Sequence, residues 1–203
     1  MFRHHFFSFL LTAAAFVLLI LITFSVPFIS NFYFLRSSVN GGVDFGVWGF
    51  CTTSTDVCSK KSIGYSFEPQ LIFWLTQALV LYPVAAGLTL LTLISLIPVL
   101  CLRGRHHHHH HHHHQSYYPT PLFSMLALLS YLASFFAFIF MIALFSTGMK
   151  RFKDDGFTAS FGPLPWMSIG ATVALAIVAL SSGCGMMCQG RFSRVSERLR
   201  YSV

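Results

Sequence analysis

Four groups of residues in this chain could carry chemistry. The most conspicuous is a run of nine histidines, His106–His114. Histidine titrates near pH 6.5, so such a run changes charge across the physiological range and also offers imidazoles to metal ions. A metal site needs fixed ligands backed by a second layer of hydrogen bonds, which a homopolymer between Arg105 and Gln115 does not supply. The run therefore reads as a low-complexity insertion, and neither a metal nor another cofactor is expected. The second group is the cysteines: Cys51 and Cys58 share one segment, while Cys101, Cys184 and Cys188 lie elsewhere. The third is the carboxylates Asp44, Asp56, Glu68, Asp154 and Asp155, which as isolated groups titrate near pH 4 and would report only strong acid. The fourth is the arginine cluster Arg191, Arg194, Arg198 and Arg200. No nucleophile and base pairing, no His-Glu-x-x-His and no Gly-rich phosphate loop occurs, so no catalytic residue is assigned and the chain is expected not to be an enzyme.

The composition decides which elements must position these groups. Of 203 residues, 55% are hydrophobic and 9% charged, and 23 are Phe. Soluble domains carry roughly 25% charged residues, so lipid must serve as solvent for most of this surface. Four apolar stretches, 6–29, 72–102, 122–145 and 164–187, are each long enough to cross a hydrocarbon core of about 30 Å. They hold no Asp, Glu, Lys, Arg or His; Gln77 is their most polar side chain. Transporters and intramembrane enzymes generally keep an ionisable group at membrane depth, which places those functions low. Pro83 is expected to kink the second span. Small residues at Gly170, Ala171, Ala174, Ser181, Ser182 and Gly183 suit close helix packing in the fourth. The first stretch exceeds a signal-peptide core and reads as a retained anchor.

An even number of spans puts both termini on one side. The N-terminus, the loop 103–121 and the tail 188–203 carry Arg3, Arg103, Arg105, Arg191, Arg194, Arg198 and Arg200. The loops 30–71 and 146–163 carry Arg36, Lys60, Lys61, Lys150, Arg151 and Lys153, together with all the acids except Glu197. The density of bases next to the spans makes the first group cytoplasmic. Loop 30–71 then faces an oxidising compartment, where Cys51 and Cys58 are able to pair. The short ring they close would contribute roughly 2.5 kcal/mol by the chain-entropy model; two free thiols is the plainer alternative. Phe45, Val47 and Val43 alternate as in a short strand, with Asn40-Gly41-Gly42 as a turn before it. Trp48 is an apolar anchor for the disulfide or for the headgroup layer, and Gly46 and Gly49 leave room for close approach.

Gly46-Val47-Trp48-Gly49-Phe50-Cys51 followed by Cys58 resembles the Gly-Leu-Trp-x-x-Cys…Cys signature of the claudin-like four-span superfamily. The longer stretch from Tyr33-Phe34-Leu35 through Asn40-Gly41 to Cys58 and Ser62-Ile63-Gly64-Tyr65 more closely resembles the fungal PalI family. That family groups membrane components of the ambient-pH response with proteins of cortical plasma-membrane domains (eisosomes). The resemblance implies an all-α transmembrane four-helix bundle with a small, disulfide-pinned extracellular β element in the first external loop. It also implies Gly46, Trp48, Gly49, Gly64 and Tyr65 as motif positions, and in the pH-response branch an assisting role beside a seven-span pH sensor.

The remaining groups fit that frame. Cys101, Cys184 and Cys188 at inner span ends are candidates for S-palmitoylation, with ordinary buried thiols as the alternative. Arg191, Arg194, Arg198 and Arg200 are candidates for anionic-lipid contact, or serve only to fix topology. Nucleic acid is not expected as a partner, because the basic tail is already committed to the membrane surface. The expected protein is a plasma-membrane organiser or accessory subunit, both termini cytoplasmic, whose partners are lipids, other integral membrane proteins and a candidate second copy of itself. A claudin-like adhesion or fusion protein is the alternative, and a channel or transporter ranks below both.

Overall fold

A computed structural model of the chain describes residues 2–200, except 56, 66, 68–70, 72 and 104–119; the side chains of 2–5, 40, 99–103, 120–121 and 183–200 are also outside the description. Apolar runs with no backbone partner in lipid must hydrogen-bond to themselves, and five helices result: α1 (Phe2–Thr23), α2 (Phe73–Ala78), α3 (Leu81–Arg103), α4 (Thr120–Asp154) and α5 (Leu164–Arg200). Among the described residues they supply four candidate membrane spans, with α2 and α3 together forming the second. α1 packs between α3 and α5, and α4 closes the bundle by packing on the same two helices. Gly170 of α5 faces Leu18 of α1, and Ala171 beside it is fully buried.

Hydroxyls join the helices where the core is otherwise apolar. Tyr82 meets Ser168 at 2.8 Å, Thr92 meets Ser130 at 3.1 Å, and Ser134 meets Thr172 at 3.0 Å. Each pair links two helices, a contact worth about 0.6 kcal/mol on average, and Thr92 and Thr172 also donate to carbonyls of their own helices, Leu88 O and Ser168 O.

Pro83 acts differently from a simple mid-span kink. The helix is interrupted at Leu79–Val80, and Pro83 sits in the first turn of α3. A proline ring clashes with the carbonyl four residues before it, which here is that of Leu79. The chain avoids the clash by tightening: Leu79 N–H donates to Thr76 O (3.2 Å), Val80 N–H to Gln77 O (3.1 Å), and the Leu79 carbonyl accepts from Tyr82 N–H (3.1 Å). The freed carbonyl is satisfied locally rather than by a neighbouring helix.

At one end of the bundle stands a five-stranded antiparallel sheet of order β4-β3-β2-β1-β5: β1 (Leu35–Ser37), β2 (Val43–Phe45), β3 (Phe50–Thr52), β4 (Val57–Cys58) and β5 (Ala159–Phe161). A 3₁₀ turn at Val39–Gly41 joins β1 to β2, with positive φ at Gly41 and Gly42. The sheet is larger than the sequence suggests, because β5 comes from the second loop and pairs Ser160 with Arg36. α4 reaches it by running on to Asp154, so segment 146–163 opens as helix. At about 1.5 Å per residue its 35 residues span about 52 Å, well beyond a 30 Å core. Arg151 and Lys153 lie in its last turn, where cations are favoured by the exposed carbonyls.

Candidate functional site

The cross-strand register sorts the sheet's side chains by face. Ser160, Arg36, Asp44, Cys51 and Cys58 are successive Cα partners across the strands, so they share one face. Leu35, Phe45 and Phe50, one residue along, share the other. That second face is covered by rings. Phe45 lies 5.3 Å from Phe67 and 5.8 Å from Phe152 of α4, and Phe50 lies 5.2 Å from Phe67. Deeper, Phe34 stacks on Phe145 at 5.1 Å and approaches Tyr82 at 5.8 Å. The sheet is therefore seated on α3 and α4 by aromatic packing, at separations typical of favourable ring pairs.

The opposite face carries the chemistry. Cys51 and Cys58 form a disulfide between the paired strands β3 and β4. Next along the row, the Arg36 guanidinium grips Asp44 with both arms: Nε donates to Oδ1 at 2.6 Å and Nη2 to Oδ2 at 2.7 Å. Asp44 is 5% exposed. It is thus half of a bidentate pair, the geometry that adds specificity as well as strength to an Arg–carboxylate contact. The hydrogen bond and charge of Asp44 raise the Arg36 pKa against partial desolvation, and the guanidinium also lies over the Tyr33 ring at 4.4 Å.

The segment Gly46–Gly49 latches the sheet to the bundle. α1 ends at Thr23, which leaves terminal carbonyls without helical partners; the Trp48 indole N–H donates to one of them, Thr23 O, at 2.7 Å. This is a third arrangement beside the disulfide anchor and the headgroup anchor expected from the sequence. Ser25 Oγ accepts from Val47 N–H at 3.0 Å. Gly46 donates its own N–H to Gly49 O at 2.9 Å and accepts from the Tyr65 hydroxyl at 2.8 Å; a Cβ at Gly46 would run into the Val26 carbonyl. A Cβ at Gly49 would strike Ser59 Oγ, which accepts from Phe50 N–H at 3.0 Å. Gly64, at φ 77°, lies against Gln77 and Phe73 of α2. Tyr65 completes the latch: the Thr76 hydroxyl accepts from its N–H at 3.2 Å and lies 2.8 Å from its carbonyl oxygen. Burial pushes the Tyr65 phenol well above the usual tyrosine range.

The structure thus gathers Gly46, Trp48, Gly49, Gly64, Tyr65, Cys51 and Cys58 at the sheet end of the bundle. Sequence reasoning missed Arg36 with Asp44, Thr23 and Ser25 as acceptors for the latch, and β5. The charged pair had a signal, opposite charges flanking a Gly-Gly turn at hairpin spacing. The side chains of Cys101, Cys184, Cys188, Arg191, Arg194, Arg198 and Arg200 lie outside the described residues, as do Asp56, Glu68 and His106–His114. Among the described residues no three His, Cys, Asp or Glu side chains converge as metal ligands.

The model of the SUR7/PalI family matches residues 4–181, which takes in all of the sheet, the first three candidate spans and the fourth apart from its last residue. No curated protein matches the chain.

Proposed function

Because the chain belongs to the SUR7/PalI family, we propose that it acts as a non-enzymatic organiser or accessory subunit of the plasma membrane, working by contact rather than by reaction. Its sheet faces outward and both termini lie in the cytoplasm, as the density of bases on the terminal segments suggests. Its partners are other integral membrane proteins, a seven-span pH sensor in the pH-response version of this role and components of cortical domains in the other.

The observation that carries this reading is the joined sheet. Strands from both loops form one body, latched to α1 through Trp48 and to α2 through Tyr65. Such a body presents a fixed surface, which suits recognition. The four apolar stretches hold no Asp, Glu, Lys, Arg or His that would suggest a transport path. Imaging the tagged protein in cells together with growth across pH tests the proposal. Cys51→Ser or Cys58→Ser is expected to disturb delivery to the cell surface, and normal localisation with normal alkaline growth in both variants counts against the reading. Static surface patches without an alkaline growth defect select the cortical-domain version.

A further inference from the structure

The sheet end of the bundle is not uniform around its rim. Aromatic side chains stand exposed beside the sheet-end termini of α1, α2 and α5. Phe24 and Phe28 follow directly on α1, half exposed, with their rings edge to face at 5.7 Å. Trp74 in the first turn of α2 is 76% exposed and Trp166 in the first turn of α5 is 73% exposed, the highest values for large apolar side chains among the described residues. Ile63 stands exposed beside α2, because Gly64 next to it packs on Phe73 and Gln77. At the sheet end of α4 the exposed side chains are mixed, with Lys150, Lys153 and Asp154 followed by Phe157.

Tryptophans this bare do not suit contact with bulk water, and they are enriched where membrane meets water. Above them stand two exposed lysines, Lys60 and Lys61. The Lys61 ammonium lies 4.1 Å over the Phe28 ring, and among the described residues neither lysine has an acidic partner. A lysine that covers an apolar ring and keeps its charge free at the membrane boundary is placed to meet a headgroup.

We infer that the rim of the sheet end is a lipid-contact surface: Phe24, Phe28, Trp74 and Trp166 seat in the interfacial layer, and Lys60 with Lys61 binds the net negative headgroup of an anionic lipid in the leaflet on the sheet side. Charge complementarity and continuity with the spans name lipid as the occupant. Thr23 closes the first span and Phe73 opens the second, so the patch between them is held at the membrane boundary. The inference rests on membrane insertion alone and stands apart from the organiser role.

The tryptophans give a local readout. All 3 of them, Trp48, Trp74 and Trp166, lie at the sheet end, so tryptophan emission does not sense lipids gathered by arginines at the other end. The full-length protein is reconstituted in phosphatidylcholine vesicles that contain brominated phosphatidylserine or brominated phosphatidylcholine at equal mole fraction. The serine lipid is expected to quench with about five-fold tighter association, the fold-change that corresponds to ~1 kcal/mol for one cation near the surface. Lys60→Gln with Lys61→Gln brings the two lipids to parity, whereas Lys150→Gln with Lys153→Gln keeps the preference. Equal quenching in the unaltered protein, or a preference that survives loss of Lys60 and Lys61, overturns the proposal. A preference abolished by millimolar inorganic phosphate overturns it too, since the ligand is then a soluble anion rather than a lipid.

Discussion

Gly46 and Gly87 set the same substitution in opposite surroundings. At Gly46 an added methyl group meets the Val26 backbone, which is itself fixed by the Val26 N–H bond to Phe32 O; at Gly87 nothing lies within 4 Å. Gly46→Ala is expected to cost at least the ~1–3 kcal/mol of ordinary overpacking, because backbone cannot swing aside as a side chain can. Gly87→Ala, in a helix interior, should gain up to about 1 kcal/mol. Thermal midpoints of the purified variants in detergent check both, and equal shifts would refute the close approach at Gly46. Tyr65 gives a pH-dependent prediction. Its phenol is raised by burial, so the folded form stays neutral while the unfolded chain ionises above about pH 10. Fewer protons are then bound in the unfolded state than in the folded one, and stability falls as pH rises past that point. Tyr65→Phe loses the bond to Gly46 O, about 1 kcal/mol at neutral pH, but also loses this alkaline slope. The stabilities of the two proteins should converge above pH 10; parallel curves would show that the phenol is not buried. The motif glycines and Trp48 were legible because their types are unusual inside a polar loop. Thr23 and Ser25 were not, since they close an apolar run and read as membrane.

The elements of the sheet depend on one another unequally. β4 is an edge strand of two residues, paired only with β3 and tied to it by the disulfide. Cys58→Ser should loosen β4 at a cost of roughly 2.5 kcal/mol by the chain-entropy model, while β1, held on both sides, keeps its pairing; hydrogen exchange resolved by strand measures this. Protection lost equally from β1 would contradict the inferred hierarchy. The Arg36–Asp44 pair allows a sharper test. Arg36→Met alone strands a buried carboxylate, whereas Arg36→Met with Asp44→Leu removes both charges, so the single variant should be the less stable one. The Cys51–Cys58 bridge could be anticipated from two thiols on one side of the membrane. β5 could not, because three residues are too few to show alternation. The length of α4 was hidden for a related reason: Lys150, Arg151 and Lys153 read as a loop by charge, although cations suit the last turn of a helix.

On the scale of the molecule, the two ends of the bundle are separated by the length of its helices, about 50 Å along α4, with apolar packing and hydroxyl contacts between them among the described residues. The C-terminal end of α3 and the N-terminal end of α4 lie away from the sheet, since α3 begins and α4 finishes beside it. The nine histidines lie in the sequence between Arg103 and Thr120 and read as a low-complexity insertion. Replacing His106–His114 by serines is expected to leave the melting temperature and the surface distribution unchanged. β5 is the opposite case. It covers the edge of β1, and its neighbour Gly162 donates to Phe34 O at 2.9 Å directly above the aromatic stack. Replacing residues 157–162 by a flexible linker of equal length removes one strand, exposes Leu35 and Phe34, and breaks the contact that makes two loops one body. The disulfide should still form, because β3 and β4 are untouched, but the protein should melt earlier, and under the proposed organiser role its distribution in cells should change. If the linker variant distributes normally, the first loop alone carries recognition and the joined sheet serves only stability.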